Sequence, residues 1–247
     1  MKENSTRKIN DLVNYKNIKI IQDKNYFNFS LDSVLLPNFV TLNPNTKKIL
    51  DLCSGNLPIP LILSTKTNAN IYAVELQQEI YNLAKETLKI NNLENRITLY
   101  NDNAKNMTNK FETDTFDLIT CNPPYFKYND TSLINDNIIK SIARHEIEIN
   151  IEDIIKISKK LLKNGGSLSI VHRAERLIEI IELMRKNNIE PKRIRFIYPK
   201  ENTESNLILI DGRKNGNPGL KILPPLVVHN NDGSYTEEVL KMFGSEN

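Results

Sequence analysis

Short apolar runs alternate along the chain with longer amphipathic stretches, the pattern left by strands and helices that take turns. The run Lys48 to Cys53 predicts a strand, followed by Ser54-Gly55-Asn56 and a helix that starts near Leu57. Pro58 and Pro60 fall in its first turn, where backbone N–H groups lack intrahelical partners anyway. Ile71 to Glu75 predicts a second strand. Gln77 to about Asn91 then predicts a helix, with Ile80, Leu83, Ala84, Leu88 and Ile90 as its apolar stripe. The third strand is expected over Arg96 to Tyr100 and the fourth over Phe116 to Cys121. After a polar loop, a helix is predicted from Ile151 to Lys163, capped by Asn150 and stopped by Gly165-Gly166. Ser167 to His172 reads as the fifth strand. Ala174 to Asn187 reads as a helix that turns Leu177, Ile178, Ile181 and Leu183 inward.

The end of the pattern is the most diagnostic part. Arg193 to Tyr198 and Asn206 to Asp211 both read as strands, and only Pro199 to Ser205 lie between them. A parallel crossover needs a dozen or more residues, so this pair is predicted to be an antiparallel hairpin. The fold class expected is α/β: a seven-stranded, mostly parallel, doubly wound sheet with an antiparallel last strand. Ahead of it, Ile18, Ile20 and Ile21 and then Tyr26, Phe27 and Phe29 suggest a small hairpin or two edge strands. Ser30 or Asp32 is expected to cap a short helix through Ser33 to Leu36, kinked by Pro37. This divides the chain into an extension, residues 1–44, which covers the site, and a main domain, residues 45–247.

Composition narrows the class without changing the picture. A hydrophobic content of 39% and a charged content of 26% suit a soluble globular protein. No apolar run is long enough to cross a bilayer, the N-terminus has no signal-peptide core, and two cysteines cannot build a metal cluster. These features lead to the expectation of a cytoplasmic protein with no membrane and no metal. The net charge of +3 is unevenly spread, with +3 carried by residues 1–24 and +4 by residues 192–221. Each segment reads either as a solvated face or as a grip on a polyanion.

Candidate chemistry gathers at strand ends. Asn122-Pro123-Pro124-Tyr125 follows the fourth strand, and its two prolines make a stiff corner. The Asn122 side-chain oxygen and the Pro123 carbonyl can accept from an exocyclic amine while the Tyr125 ring stacks on its plane. An ordinary strand-ending turn would use the same residues. In an open α/β sheet, ligands bind beyond the carboxyl ends of the strands where the order reverses. Asp51, Ser54, Gly55 and Asn56 would therefore face Asn122 across one crevice. Glu75 ends the second strand where a ribose diol would be held, and Asp102 follows the third, where it could accept from an adenine amine. Turn capping or plain surface charge would also account for any one of these carboxylates. Cys53 and Cys121, at the ends of the first and fourth strands, read as small buried neighbours.

The chain resembles the adenine-N⁶ methyltransferases of class I, and within them the bacterial enzymes that modify the anticodon loop of valine tRNA. The resemblance rests on Asp51 to Asn56, Glu75, Asn122-Pro-Pro-Tyr125, Ala143-Arg-His-Glu146, and the late Leu223-Pro-Pro-Leu226 with Tyr235-Thr-Glu-Glu-Val239. It runs from about Gln22 to Val239. It implies a class I methyltransferase fold, S-adenosyl-L-methionine as cofactor and a tRNA substrate, with in-line methyl transfer to the amine held by Asn122 and Pro123. It also implies cofactor contacts from Asp51, Ser54, Gly55, Asn56, Glu75, Asp102 and Asn122. Arg144 and His145 become candidates for substrate phosphate, although an ion pair with Glu146 or Glu148 serves them equally. Arg193 and Arg195, in the basic segment, are candidate tRNA contacts. By analogy with related enzymes Phe29 and Asp32 would close over the cofactor, although plain core packing accounts for them equally. The sequence departs from the family at Leu57, where a glycine is usual. Protein-glutamine methyltransferases share the Asn-Pro-Pro-Tyr motif, so a side-chain amide remains an alternative substrate, as does a catalytically weak RNA-binding role. A nicotinamide oxidoreductase is disfavoured by the missing G-x-G-x-x-G pattern and by the closing hairpin.

Overall fold

The computed structural model describes residues 6–13, 15, 17–26, 30–123 and 149–244 of the 247. Two short strands, β1 (Arg7–Asp11) and β2 (Lys19–Asp23), form an antiparallel hairpin in register Arg7 with Asp23. The hairpin thus uses residues upstream of those the alternation suggested, and Phe27 and Phe29 lie outside the described residues. Helix α1 (Asp32–Phe39) follows; its N-cap is Leu31, with no side-chain capping bond from Ser30 or Asp32, and it runs on through Pro37. The expected cap is absent because Val34 and Leu35 both donate to the Leu31 carbonyl, which closes the first turn with backbone alone.

The main sheet is assembled from β3 (Lys48–Leu52), β4 (Asn70–Glu75), β5 (Ile97–Asn101), β6 (Phe116–Cys121), β7 (Leu162–Arg173), β8 (Ile189–Tyr198) and β9 (Leu207–Lys214). Their order across the sheet is β5-β4-β3-β6-β7-β9-β8, all parallel except β9, which runs antiparallel to both its neighbours. The antiparallel strand is therefore wedged inside the sheet, next to the edge. Two further strands of two residues each, β10 (Lys221–Ile222) and β11 (Leu226–Val227), pair parallel with the outer side of β8 and bring the sheet to nine strands. Between the strands lie α2 (Pro58–Lys66), α3 (Gln78–Ile90), α4 (Met107–Lys110), α5 (Ile151–Leu161) and α6 (Leu177–Lys186); α7 (Glu237–Met242) ends the chain.

Two apolar clusters sandwich the sheet. One joins Ile49, Ile71, Leu118, Val171 and Leu209 to α1 and α2; the other joins Leu50, Ile119, Leu168 and Ile210 to α5 and α6. The α5 helix carries the predicted Asn150 cap, here as a capping box: Asn150 accepts from the Asp153 amide and the Asp153 carboxylate accepts from the Asn150 amide. Its stop comes earlier than expected, because the chain enters β7 at Leu162 and the two glycines are drawn into that strand. On α6 the buried residues are Ile180 and Met184, whereas Ile178 is 66% exposed. The stripe is centred on the i, i+4 pair Ile180 and Met184, and Leu177, Ile181 and Leu183 of the predicted set pack half-buried against the same cluster.

The loop after β3 is unusual in its backbone. Cys53, Gly55 and Leu57 have φ of 59°, 54° and 77°, so every second residue is left-handed and only one of the three is glycine. For a residue with a Cβ this region costs about 1–2 kcal/mol. Leu57 recovers that cost by burial, since its side chain is completely enclosed in the α1–α2 cluster. Leu57→Ala keeps the strain and removes the burial. It should lower unfolding free energy by about 2–5 kcal/mol in urea titration, and a loss below about 1 kcal/mol would show that the loop relaxes instead.

Candidate functional site

Because β3 and β6 are parallel neighbours with Leu52 beside Cys121, the 53–57 loop and Asn122 leave the sheet side by side at its carboxyl edge. Glu75 ends β4 on the other side of β3. Its carboxylate accepts from the backbone amides of Gly55 (2.9 Å) and Gln77 (2.8 Å), so it holds the left-handed loop as well as facing the crevice. Burial pushes its pKa up, against the pull of those amides. A cleft lined by Cys53, Val74, Glu75, Leu76, Asp102, Asn103, Ala104 and Ile149 opens beside it. Asp102 lines this cleft, with its oxygens taken up by the Asn103 amide, the Asn106 side chain and Lys110. The Lys110 and Asn106 hydrogen bonds hold its carboxyl below the usual range.

Asp51 is fully buried. One of its oxygens accepts from the Thr120 hydroxyl, and the other, Oδ2, has no hydrogen-bond partner among the described residues. Desolvation pushes its pKa up to about 7, opposed by the Thr120 and Ser54 hydroxyls and reinforced by Glu75. Ser54 and Asn56, expected to contact cofactor, are engaged with the fold itself. The Ser54 hydroxyl donates to the Asp51 carbonyl and accepts from the Val74 amide, which ties β3 to β4. The Asn56 amide nitrogen donates to the Ile21 carbonyl, 3.1 Å away, which pins the hairpin onto the loop. A Cβ built on Gly55 would meet no atom within 4 Å, so this turn faces open space.

Asn122 is oriented by a residue the sequence reading left unassigned. Its amide nitrogen donates to the Ser33 hydroxyl at 3.0 Å, and Ser33 is itself buried on α1. Pro123 follows in the described chain, whereas Tyr125, Arg144 and His145 lie outside the described residues. Cys53 and Cys121 are neighbours and both free, and the nearness of Cys53 adds to burial in pushing the Cys121 thiol up. No group of three or more His, Cys, Asp or Glu that could hold a metal occurs among the described residues, and no described helix is long and apolar enough to cross a membrane.

The two basic candidates of β8 sit on one face, as a strand requires, but that face is covered. The Arg193 guanidinium pairs with Asp211, donates to the Phe39 carbonyl at 2.9 Å and lies over the Phe39 ring. Arg195 donates to the Pro224 carbonyl and pairs with Glu238 at 2.6 Å. Their geometry is that of cross-links between the sheet, α1 and the C-terminal segment. Arg193→Ala should therefore leave Asp211 buried without its counter-charge and cost about 3–5 kcal/mol. A melting curve unchanged from wild type would return Arg193 to the list of tRNA contacts.

The profile of the methyltransferase small domain family matches residues 31–188, which hold every strand from β3 to β7. A Cytophaga hutchinsonii protein named tRNA1(Val) (adenine(37)-N6)-methyltransferase is 26% identical over 78% of this chain and 79% of its own. A Flavobacterium psychrophilum protein of the same name is 25% identical over 94% of this chain and 97% of its own. Among solved structures, an Agrobacterium tumefaciens protein described as a predicted O-methyltransferase superposes with a TM-score of 0.68 at 19% identity, covering 86% of this chain and 95% of its own. M. jannaschii TYW2, solved with AdoMet, gives 0.58 at 14% identity, covering 86% of this chain and 88% of its own. The family match spans well over half of the chain and coincides with the strands that build the crevice: the chain belongs to the methyltransferase small domain family.

Proposed function

We propose that the protein transfers a methyl group from S-adenosyl-L-methionine to the exocyclic amine of an adenine in the anticodon loop of a tRNA, valine tRNA being the one favoured by its relatives' names. The observation that carries this reading is the position of Asn122-Pro123 at the carboxyl end of β6, beside a loop braced by Glu75. Support for the cofactor comes from Asp51, whose buried Oδ2 has no hydrogen-bond partner among the described residues and suits a cationic group such as an α-ammonium. Glu75 would hold the ribose hydroxyls with the lone pairs its two amide donors leave over. Asp102, Gly55 and the walls of the adjoining cleft would receive the rest of the nucleoside. When bound, the cofactor supplies an electrophilic methyl on sulfonium.

The chain's own part is positioning. An adenine amine is a weak nucleophile because its lone pair is delocalised into the ring. Two acceptors, the Asn122 side-chain oxygen and the Pro123 carbonyl, would draw its two protons out of the ring plane and turn the lone pair toward the methyl. Orientation of this sort lowers barriers by several kcal/mol, and it needs no buried general base. The base must leave its loop to reach this corner. Tyr125 is our candidate for stacking on it, and Arg144 and His145 are candidates for the flanking phosphates.

Transfer of tritiated methyl from the cofactor into bulk tRNA and into total protein, both from cells lacking the enzyme, tests the proposal. We expect label in tRNA that digests to N⁶-methyladenosine. Label in protein glutamine instead would overturn the substrate assignment, and label in neither would favour a catalytically weak RNA-binding role.

A further inference from the structure

We infer that Ser33 is a positioning residue for methyl transfer: its hydroxyl orients the Asn122 amide, which makes the N-terminal extension part of the catalytic centre. The inference rests on the amine-acceptor role proposed above for Asn122. An asparagine side chain is pseudo-symmetric, with an acceptor on one arm and a donor on the other. Only one of its two orientations presents oxygen to an incoming amine, whereas the other presents N–H groups and repels it. Something must therefore hold the nitrogen arm. The holder must be an acceptor, because an NH₂ group donates. The Ser33 hydroxyl holds it at 3.0 Å, and the oxygen arm is thereby turned away from α1.

The hydroxyl is also well placed to be rigid. Ser33 is 6% exposed in the first turn of α1, flanked by Val34, Leu35 and Leu36, all buried in the α1–α2 cluster. At its other end the helix is tethered by Asn38, which donates to the Met242 carbonyl and to the Tyr15 hydroxyl, and by Phe39, whose carbonyl accepts from Arg193. Ser33 is the first buried polar side chain of the helix, followed directly by three buried apolar residues. Its bond to Asn122 offsets that burial, since a buried hydroxyl is costly unless hydrogen-bonded.

The test is the kinetics of Ser33→Ala and of the double variant with Asn122→Ala, all with the full chain. Ser33→Ala should lower kcat about 10- to 100-fold with the Michaelis constants for cofactor and tRNA unchanged. In the Asn122→Ala background the same change should have no further effect on kcat. Ser33→Thr keeps the hydroxyl and should restore most of the rate. In addition, the side-chain NH₂ signals of Asn122 in an amide NMR spectrum should shift in Ser33→Ala, a readout independent of activity. A Ser33→Ala enzyme with wild-type kcat, or equal losses in both backgrounds, overturns the inference and leaves the proposed function standing. A wild type that methylates neither tRNA nor protein overturns both.

Discussion

Asn122→Ala should lower turnover by about two to three orders of magnitude while cofactor affinity, measured by calorimetry, stays within a factor of about two. The size follows from what is removed. A single preorganised polar group at a reacting centre is commonly responsible for that much of a rate, because its orientation is fixed before the substrate arrives. Here the Ser33 hydroxyl holds the amide nitrogen, and the side chain stands next to the 53–57 loop. The loop's own braces are Glu75 and Ser54, which the substitution leaves intact. Loss of cofactor binding in parallel with turnover would make Asn122 a wall of the crevice. Turnover within about fivefold of wild type would remove it from the chemistry.

The second large effect concerns pH. Asp51 has a pKa of about 7 in the folded chain against 3.8 as a free side chain, chiefly because it is buried. From pH 4 upward the unfolded chain ionises this group while the native state keeps the proton. Native stability therefore falls as pH rises toward 7, by about 4 kcal/mol in all, and levels off above. A cation docked on Asp51 reverses the balance by favouring the carboxylate. Cofactor affinity should thus rise with pH up to about 7, by as much as about tenfold per unit, with a proton released on binding at pH 6. Calorimetry in two buffers of different ionisation enthalpy measures that proton directly. Asp51→Asn should flatten the pH dependence of stability and weaken binding throughout. Binding at pH 6 with no proton release would place the cation elsewhere.

Most of the frame was legible because strands and amphipathic helices write their period into the chain. The short link between Tyr198 and Asn206 announced the antiparallel pair, and β8 and β9 form it. The adjacency of the 53–57 loop and Asn122 was also legible, from the rule that ligands gather where strand order reverses. What the chain hid were long-range partners. Nothing near Ser33 in sequence points to Asn122, and Thr120 sits within an apolar run whose neighbour across the sheet, Asp51, is known only once β3 and β6 are paired. The arginines of β8 misled for the same reason. Their alternation set them correctly on one face, but alternation cannot tell that Phe39, Pro224 and Glu238 cover it. The first strand of the hairpin was missed because Arg7 to Asp11 hold a single apolar residue, Ile9, and so no alternation to read; every residue of β1 is exposed.

Asp51, Thr120, Ser169, Asp211 and Arg193 are direct neighbours in turn across β3, β6, β7, β9 and β8. Paired residues point to the same face of a sheet, so a single polar line crosses an otherwise apolar surface under α1. For a chain finding its fold, that line acts as a key. Slipping any of these strands by one residue turns its polar member to the opposite face, into the Ile and Leu cluster beneath α5 and α6. A slip of two keeps the face but parts Asp211 from Arg193 or Thr120 from Asp51. The strand that gains most is β9, which must insert antiparallel between two strands running the other way, with a turn of few residues to guide it. Hydrophobicity alone would accept several alignments of Leu207-Ile-Leu-Ile210 against β7, and Asp211 leaves one of them without a penalty.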